Sequence, residues 1–337
     1  MRQIDLRSDT VTKPGAGMLD AMARAEVGDD VYDEDPTIHR LQEMAAERLG
    51  KQAALFVASG TMANQVSLRA HTQPGDAVIA GQDVHIFLHE AAAAAAISGV
   101  QFTLVGDGGF FSAADVRAAA FPEDQHFPVT RLVCVENTHN RSGGRVFPLE
   151  RVREACAAAR ELGLALHLDG ARIFNVEVAT GIPAAEWAEP FDSVSFCLSK
   201  GLGAPIGSLI VGTRTFIERA HKLRKMFGGG MRQVGYLGAA GIYALENNVK
   251  RLADDHANAR RLGEGLRELR GLELVREPET NMVLFRPADA ATFPARVREH
   301  GLLINSSAPG VMRAVTHLDV TTDDVETALE IIRDVCA

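Results

Sequence analysis

Residues 193–208 read Ser193-Val-Ser-Phe-Cys-Leu-Ser-Lys200-Gly-Leu-Gly-Ala-Pro-Ile-Gly-Ser208. An apolar run, Val194 to Leu198, ends at one lysine between Ser199 and Gly201, and a second apolar run, Ile206 to Val211, ends at Gly212. The pattern predicts strand, exposed turn, strand. A lysine at the end of a buried strand is a poor packing choice unless it is paired or reactive. Its amine can form a Schiff base with an aldehyde when desolvation or a nearby cation lowers its pKa. Gly201, Gly203 and Gly207 leave room for a flat group near the backbone. Taken alone, the string fits a solvated loop lysine equally well.

The surrounding chain is of ordinary globular make-up. It has 337 residues, 46% hydrophobic and 23% charged, enough for one large and one small domain. A net charge of −9 gives no reason to expect a nucleic acid or an acidic membrane as partner. The four cysteines, Cys134, Cys156, Cys197 and Cys336, form no CxxC pair and are expected as free thiols. The first residues lack an apolar signal core and no apolar run approaches membrane-spanning length, so a cytoplasmic protein is expected.

Outward from the lysine, strand-like and helix-like segments alternate. Strands are expected at Ala54–Val57, Ala77–Ala80, Phe102–Val105, Leu132–Val135 and Ala165–Leu168. The intervening helices include Met62–Ala70, one through Ala91–Ala96 and one over Leu149–Leu162. Asp35 followed by Pro36 reads as N-cap and first residue of a helix that stops at Gly50. This order predicts an α/β protein with a mostly parallel central sheet covered by helices. Its ligands would bind beyond the C-terminal strand ends. A long helical stretch is expected from about Gln233 to Leu269. Shorter strands and helices then indicate a smaller α+β domain, so the reading divides the chain into 1–250, with an arm over 1–14, and 251–337.

Several residues could carry chemistry. Ser59-Gly60-Thr61 lies between a strand and a helix, where exposed N–H groups and hydroxyls can hold a phosphate or simply cap the helix. His85 and His89 are four apart with Glu90 adjacent. A ring stacked on a flat cofactor is one reading; a metal pair is disfavoured, because the order is not HExxH and no third ligand is evident. Asp169 ends a strand, with Arg172 three residues on: a carboxylate able to hold a ring nitrogen protonated and a guanidinium able to bind an anion. His126, Arg313, Lys225 and Arg232 say little individually.

Together these pieces are specific. The chain order of phosphate cup, histidine, strand-end Asp and Ser-Lys resembles pyridoxal-phosphate enzymes of fold type I. It resembles most the low-specificity L-threonine aldolases. Similar strings span the chain: Asp5-Leu-Arg-Ser-Asp-Thr-Val-Thr12, Gly28-Asp-Asp-Val-Tyr32, Ala58-Ser-Gly-Thr-Met-Ala-Asn64, Glu136-Asn-Thr-His139, His167-Leu-Asp-Gly-Ala-Arg172, Ser199-Lys-Gly-Leu-Gly-Ala-Pro205, Gly228-Gly-Gly-Met-Arg232 and Arg313-Ala-Val-Thr-His317.

The resemblance implies pyridoxal 5'-phosphate as cofactor and retro-aldol cleavage of β-hydroxy-α-amino acids to glycine and an aldehyde. Lys200 would carry the cofactor, Asp169 would pair with its ring nitrogen and His85 would stack on the ring. Gly60 and Thr61, with Ser59, would hold the phosphate. Arg172 would meet the cofactor's phenolic oxygen or the substrate carboxylate, and Ser8 and Arg313 would hold that carboxylate. His126 would sit near the β-hydroxyl, with the catalytic base left open among His85, His126 and a held water. Tyr32, Lys225 and Arg232 would complete the site of a neighbouring subunit in a homotetramer. His89 stands where relatives are expected to carry an aromatic residue lining the side-chain pocket. Another lyase or an aminotransferase of the same fold, or a non-catalytic cofactor-binding protein, are the alternatives. The complete set of Lys200, Asp169, His85, His126 and Arg313 argues against the last.

Overall fold

The computed structural model describes residues 3–336. Its strands in chain order are β1 (Ile4–Asp5), β2 (Ala53–Val57), β3 (Ala77–Gly81), β4 (Gln101–Val105), β5 (Thr130–Glu136), β6 (Ala165–Asp169), β7 (Ser193–Cys197), β8 (Ser208–Gly212), β9 (Leu272–Leu274), β10 (Met282–Pro287), β11 (Leu302–Leu303), β12 (Asn305–Ala308) and β13 (Val311–Val315). Seven of them form one sheet in the order β2-β8-β7-β6-β5-β3-β4. Only β8 runs antiparallel to its neighbours, β2 and β7.

Strands β3, β7 and β8 are buried at every position, as expected of a sheet covered on both faces. The strand order reverses at β3, with β4 on one side and β5 on the other. A crevice at the C-terminal strand ends beside such a reversal is the usual ligand seat. Gly60, Glu136, Asp169 and Lys200 all lie at or just past those ends.

A second sheet, β12-β13-β10-β9, has a separate apolar cluster that includes Val283, Phe285, Ala314 and Ile332. The helix Leu252–Glu268 joins the two bodies: Leu252 packs in the main core, while Ala259, Leu262 and Leu266 pack in the second. The N-terminal arm is also a tie. β1 pairs in parallel with β11, and Ile4 and Leu6 enter the second cluster. The hydroxyl of Thr12 then donates to the Lys200 carbonyl at 2.9 Å in the large body.

The helix Pro36–Arg48 forms as its caps direct. Asp35 accepts from the Ile38 N–H at 3.0 Å and Pro36 occupies the first turn. Two expected helices differ. The run through Ala91–Ala96 is broken, because Ala91 and Ala92 have φ of 53° and 58°, and a wide turn covers only Ala94–Ser98. Just before it the Glu90 side chain is buried and fully engaged, which fixes the chain in a direction that a continuous helix could not follow. The stretch from Gln233 to Leu269 divides into Gly235–Tyr243, a wide turn over Ala244–Asn248 and Leu252–Glu268. There Asn248 turns inward to donate to the Leu202 carbonyl at 2.8 Å. No helix among the described residues is long and apolar enough to cross a membrane.

Candidate active site

A cavity of about 170 Å³ opens at the C-terminal strand ends, and Lys200, Asp169, His85, Gly60, Arg172 and Arg313 all line it. Ser8, on the arm, lines it too. The polypeptide thus converges on this point from four strand ends, the arm and the small sheet.

Asp169 ends β6 beside Glu136, its register partner at the end of β5. Its Oδ2 accepts from Asn64 Nδ2 at 2.7 Å and its Oδ1 from the Ala171 N–H at 3.1 Å. Asn64 is buried on the helix Gly60–His71 and also donates to Glu90 at 2.8 Å. Glu90 in turn accepts from Gln65 at 2.6 Å and shares a 2.9 Å hydrogen bond with His85 Nδ1. That bond to Glu90 raises the His85 pKa, against the burial that lowers it. One ring nitrogen is therefore anchored and the other is left for the cavity. On the opposite side of Asn64, His167 meets its Oδ1 at 3.5 Å and Ser193 at 2.8 Å, and burial lowers the His167 pKa to about 4.

Glu136 accepts from the backbone N–H groups of His85 at 2.5 Å and Asn140 at 2.8 Å. Burial first, then the Asp169 charge, push its pKa up to about 7, while the two N–H groups pull it down. Two carboxyl groups at adjacent strand ends thus share the cavity floor, and burial opposes the ionisation of the second.

Next to Gly60, which lines the cavity, Ser59 caps the helix Gly60–His71, accepting from the Met62 N–H at 3.1 Å. A Cβ on Gly60 would stand 2.8 Å from Cys197 Sγ, so only glycine fits. Ser208 Oγ is buried without a partner, 3.8 Å from that same Cβ position. An orphaned hydroxyl beside a helix N-terminus suits a phosphate. With the Lys200 amine and the Asp169 carboxylate lining the same cavity, these residues fit pyridoxal phosphate. Lys200 would carry it, Asp169 would take its ring nitrogen, and Gly60, Thr61 and Ser208 would take its phosphate.

Arg172 is held rather than free. Asp9, wholly buried on the arm, accepts from Nε at 2.7 Å and Nη2 at 2.6 Å. Asn281 also donates to Asp9, at 3.2 Å. Arg313 donates through Nη1 to Asn140 Oδ1 at 3.1 Å and through Nη2 to the Arg7 carbonyl at 3.4 Å. His89 lies beside His85, ring centroids 5.5 Å apart.

Not every expected residue arrives here. His126 does not reach the cavity from within its own chain. It is exposed, 2.6 Å from Asp124, in a loop before the N-terminal end of β5, and does not line the cavity. The seven residues of β5 separate the two ends by about 20 Å. Tyr32 and Lys225 are exposed, and Arg232 pairs with Asp29 at 3.1 Å; none of the three lines the cavity. Asn64 and Glu136 line the cavity, and Asp9 and Glu90 brace lining residues from behind; sequence reading assigned a role to none of the four. Glu90 and Asp169 also supply the companions of His85 that looked absent. Ligand atoms of the three lie within 4.8 Å of one another, joined here by hydrogen bonds through Asn64.

This fold and this site define a pyridoxal-phosphate enzyme of fold type I. The beta-eliminating lyase family profile matches residues 5–290. The chain is 48% identical to the low specificity L-threonine aldolase of Escherichia coli K12, over 96% of both chains. It is 44% identical to low-specificity L-threonine aldolase 1 of Arabidopsis thaliana, over 98% of this chain and 95% of that one. A solved threonine aldolase of Leishmania major superposes with a TM-score of 0.86 at 23% identity, covering 99% and 100% of the two chains. The chain belongs to the beta-eliminating lyase family and, within it, to the low-specificity L-threonine aldolases.

Proposed function

We propose that this enzyme cleaves L-threonine, L-allo-threonine and related β-hydroxy-α-amino acids to glycine and an aldehyde, acetaldehyde in the case of threonine. The observation that carries this reading is one cavity lined by the Lys200 amine, the Asp169 carboxylate and the Arg313 guanidinium. The cofactor, when bound, supplies the electron sink for the pair released as Cα–Cβ breaks.

The chain's own groups do the rest. Arg313 and Ser8 would clamp the substrate carboxylate and so fix the rotation about the Cα–N bond, which decides the bond at Cα that breaks. The Asp9–Arg172 pair braces the same wall. His85, anchored by Glu90, presents its second nitrogen to the β-hydroxyl, directly or through a water, and accepts its proton. A proton returns to Cα to give glycine. Asp169, fixed by Asn64 and the Ala171 N–H, would hold the cofactor's ring nitrogen protonated.

In this reading the enzyme is a cytoplasmic homotetramer, and Tyr32, Lys225, Arg232 and the exposed His126 act across subunit boundaries. Support comes from their exposure on one chain and from the family likeness. The test is aldehyde release from L-threonine by the purified enzyme with pyridoxal phosphate. Ammonia or a keto acid in place of glycine and acetaldehyde would move it to another reaction of the fold.

A further inference from the structure

A second cavity, about 260 Å³, adjoins the first and shares His85, Asn140 and Arg313 with it. It adds His89, Arg141 and the serines of β12. A substituent leaving the main cavity past His85 and Asn140 would enter it. Its walls are cationic. Arg141 Nη1 donates to the Ser307 carbonyl, which fixes the guanidinium without neutralising it. Among the described residues the partners of Arg141 and Arg313 are backbone carbonyls and the Asn140 amide, not carboxylates, and Arg313 Nε is buried with no partner. Burial, Arg172 and Arg141 all lower the Arg313 pKa, with Asp9 alone opposing them. Burial, His85, Arg141 and Arg313 lower that of His89, and no carboxylate acts on it. Half-buried guanidinium groups such as those of Arg141 and Arg313 are costly unless an anion joins them, while the neutral His89 imidazole beside them can offer an N–H.

The substrate's α-carboxylate supplies one anion, for Arg313. The methyl group of threonine supplies nothing to Arg141. We infer that this second cavity seats the substrate's β-substituent and selects substituents that carry a carboxylate, Arg141 and His89 binding it. The chemical class is a β-hydroxy-α-amino dicarboxylate, of which 3-hydroxyaspartate is the simplest. The reaction balances as for threonine: the β-hydroxyl loses its proton, Cα–Cβ breaks, Cα gains a proton, and Cβ leaves as the aldehyde carbon of glyoxylate. No oxidant or reductant is needed. A guanidinium that can grip a carboxylate by two parallel hydrogen bonds rejects an analogue lacking it.

The inference rests on the aldolase reading, and its test separates the two. The holoenzyme is assayed with L-threo- and L-erythro-3-hydroxyaspartate, L-threonine and L-allo-threonine, with glyoxylate and acetaldehyde measured separately. The expected kcat/KM ratio favours hydroxyaspartate by about tenfold or more. Arg141→Met lowers that ratio by about tenfold and Arg141→Lys restores part of it. A turnover-free measurement accompanies these: L-aspartate perturbs the cofactor absorbance with a dissociation constant about tenfold below that of L-alanine, and Arg141→Met abolishes the difference. Threonine cleaved with a ratio at or below one, or a ratio unmoved by Arg141→Met, overturns the inference and spares the aldolase. No aldehyde from any of the four substrates overturns both.

Discussion

Asp9 grips Arg172 through two nitrogens, at 2.7 and 2.6 Å, with both side chains buried. The arm is thus part of the active-site wall. Asp9 adjoins Ser8, which faces the cavity, and Asn281 ties the same carboxylate to the small sheet. Three parts of the chain meet at one ion pair.

Asp9→Asn should therefore cost both stability and substrate binding. Losing one partner of a buried pair costs about 3–5 kcal/mol. Burial alone would raise the Asp9 pKa; the Arg172 charge and hydrogen bonds override it and hold the carboxyl far below its usual range. A lowered folded-state pKa gives stability that is present above the unfolded value, about 4, and lost as pH falls toward the folded one. Thermal melts between pH 3 and 7 should show an acid decline in the parent that is shallower in Asp9→Asn. Equal melting temperatures at neutral pH would remove the pair from its bracing role.

The His85–Glu90 bond makes a pH prediction. Glu90 raises the His85 pKa, so its contribution to stability is fully present below the unfolded value of about 6.5 and lost as pH rises through the folded one. If His85 takes the β-hydroxyl proton, kcat/KM rises with pH as the imidazole loses its own. Glu90→Gln removes the raising influence, so the acid limb of the profile should move to lower pH. A limb that stays in place would exclude His85 as the group it reports.

Ser208 separates cofactor binding from folding. Its hydroxyl is buried without a partner, so Ser208→Ala removes an unsatisfied group and should leave the cofactor-free melting temperature unchanged or raised. Pyridoxal phosphate affinity should fall about tenfold, the loss of roughly one hydrogen bond to a charged acceptor. Unchanged affinity by titration of the visible absorbance would place the phosphate elsewhere.

Arg313→Ala should raise KM for threonine about tenfold or more while cofactor retention holds, if Arg313, which lines the cavity, clamps the substrate carboxylate as proposed. Unaltered kinetics would take it out of the carboxylate clamp.

Much of this architecture was legible in the chain. The Val194–Leu198 run ending at Lys200 and the run ending at Asp169 gave two strand ends, and periodicity placed the rest of the parallel sheet. What escaped was long-range pairing. Nothing local marks Asp9 as the partner of Arg172, 163 residues away, or Asn64 as the link between Glu90 and Asp169. The break after Glu90 was hidden because alanine is a strong helix former, and only the tertiary demand on Glu90 overrides it. His126 shows the opposite limit: the resemblance implies a place near the β-hydroxyl, whereas within one chain the residue is exposed and outside the cavity.

The most direct measurement is product analysis after purified enzyme with pyridoxal phosphate is given L-threonine, L-allo-threonine and D-threonine separately. Equimolar glycine and acetaldehyde from the L isomers alone, abolished in Lys200→Ala, is the predicted result. A keto acid or ammonia without acetaldehyde, or cleavage undiminished in Lys200→Ala, would contradict it.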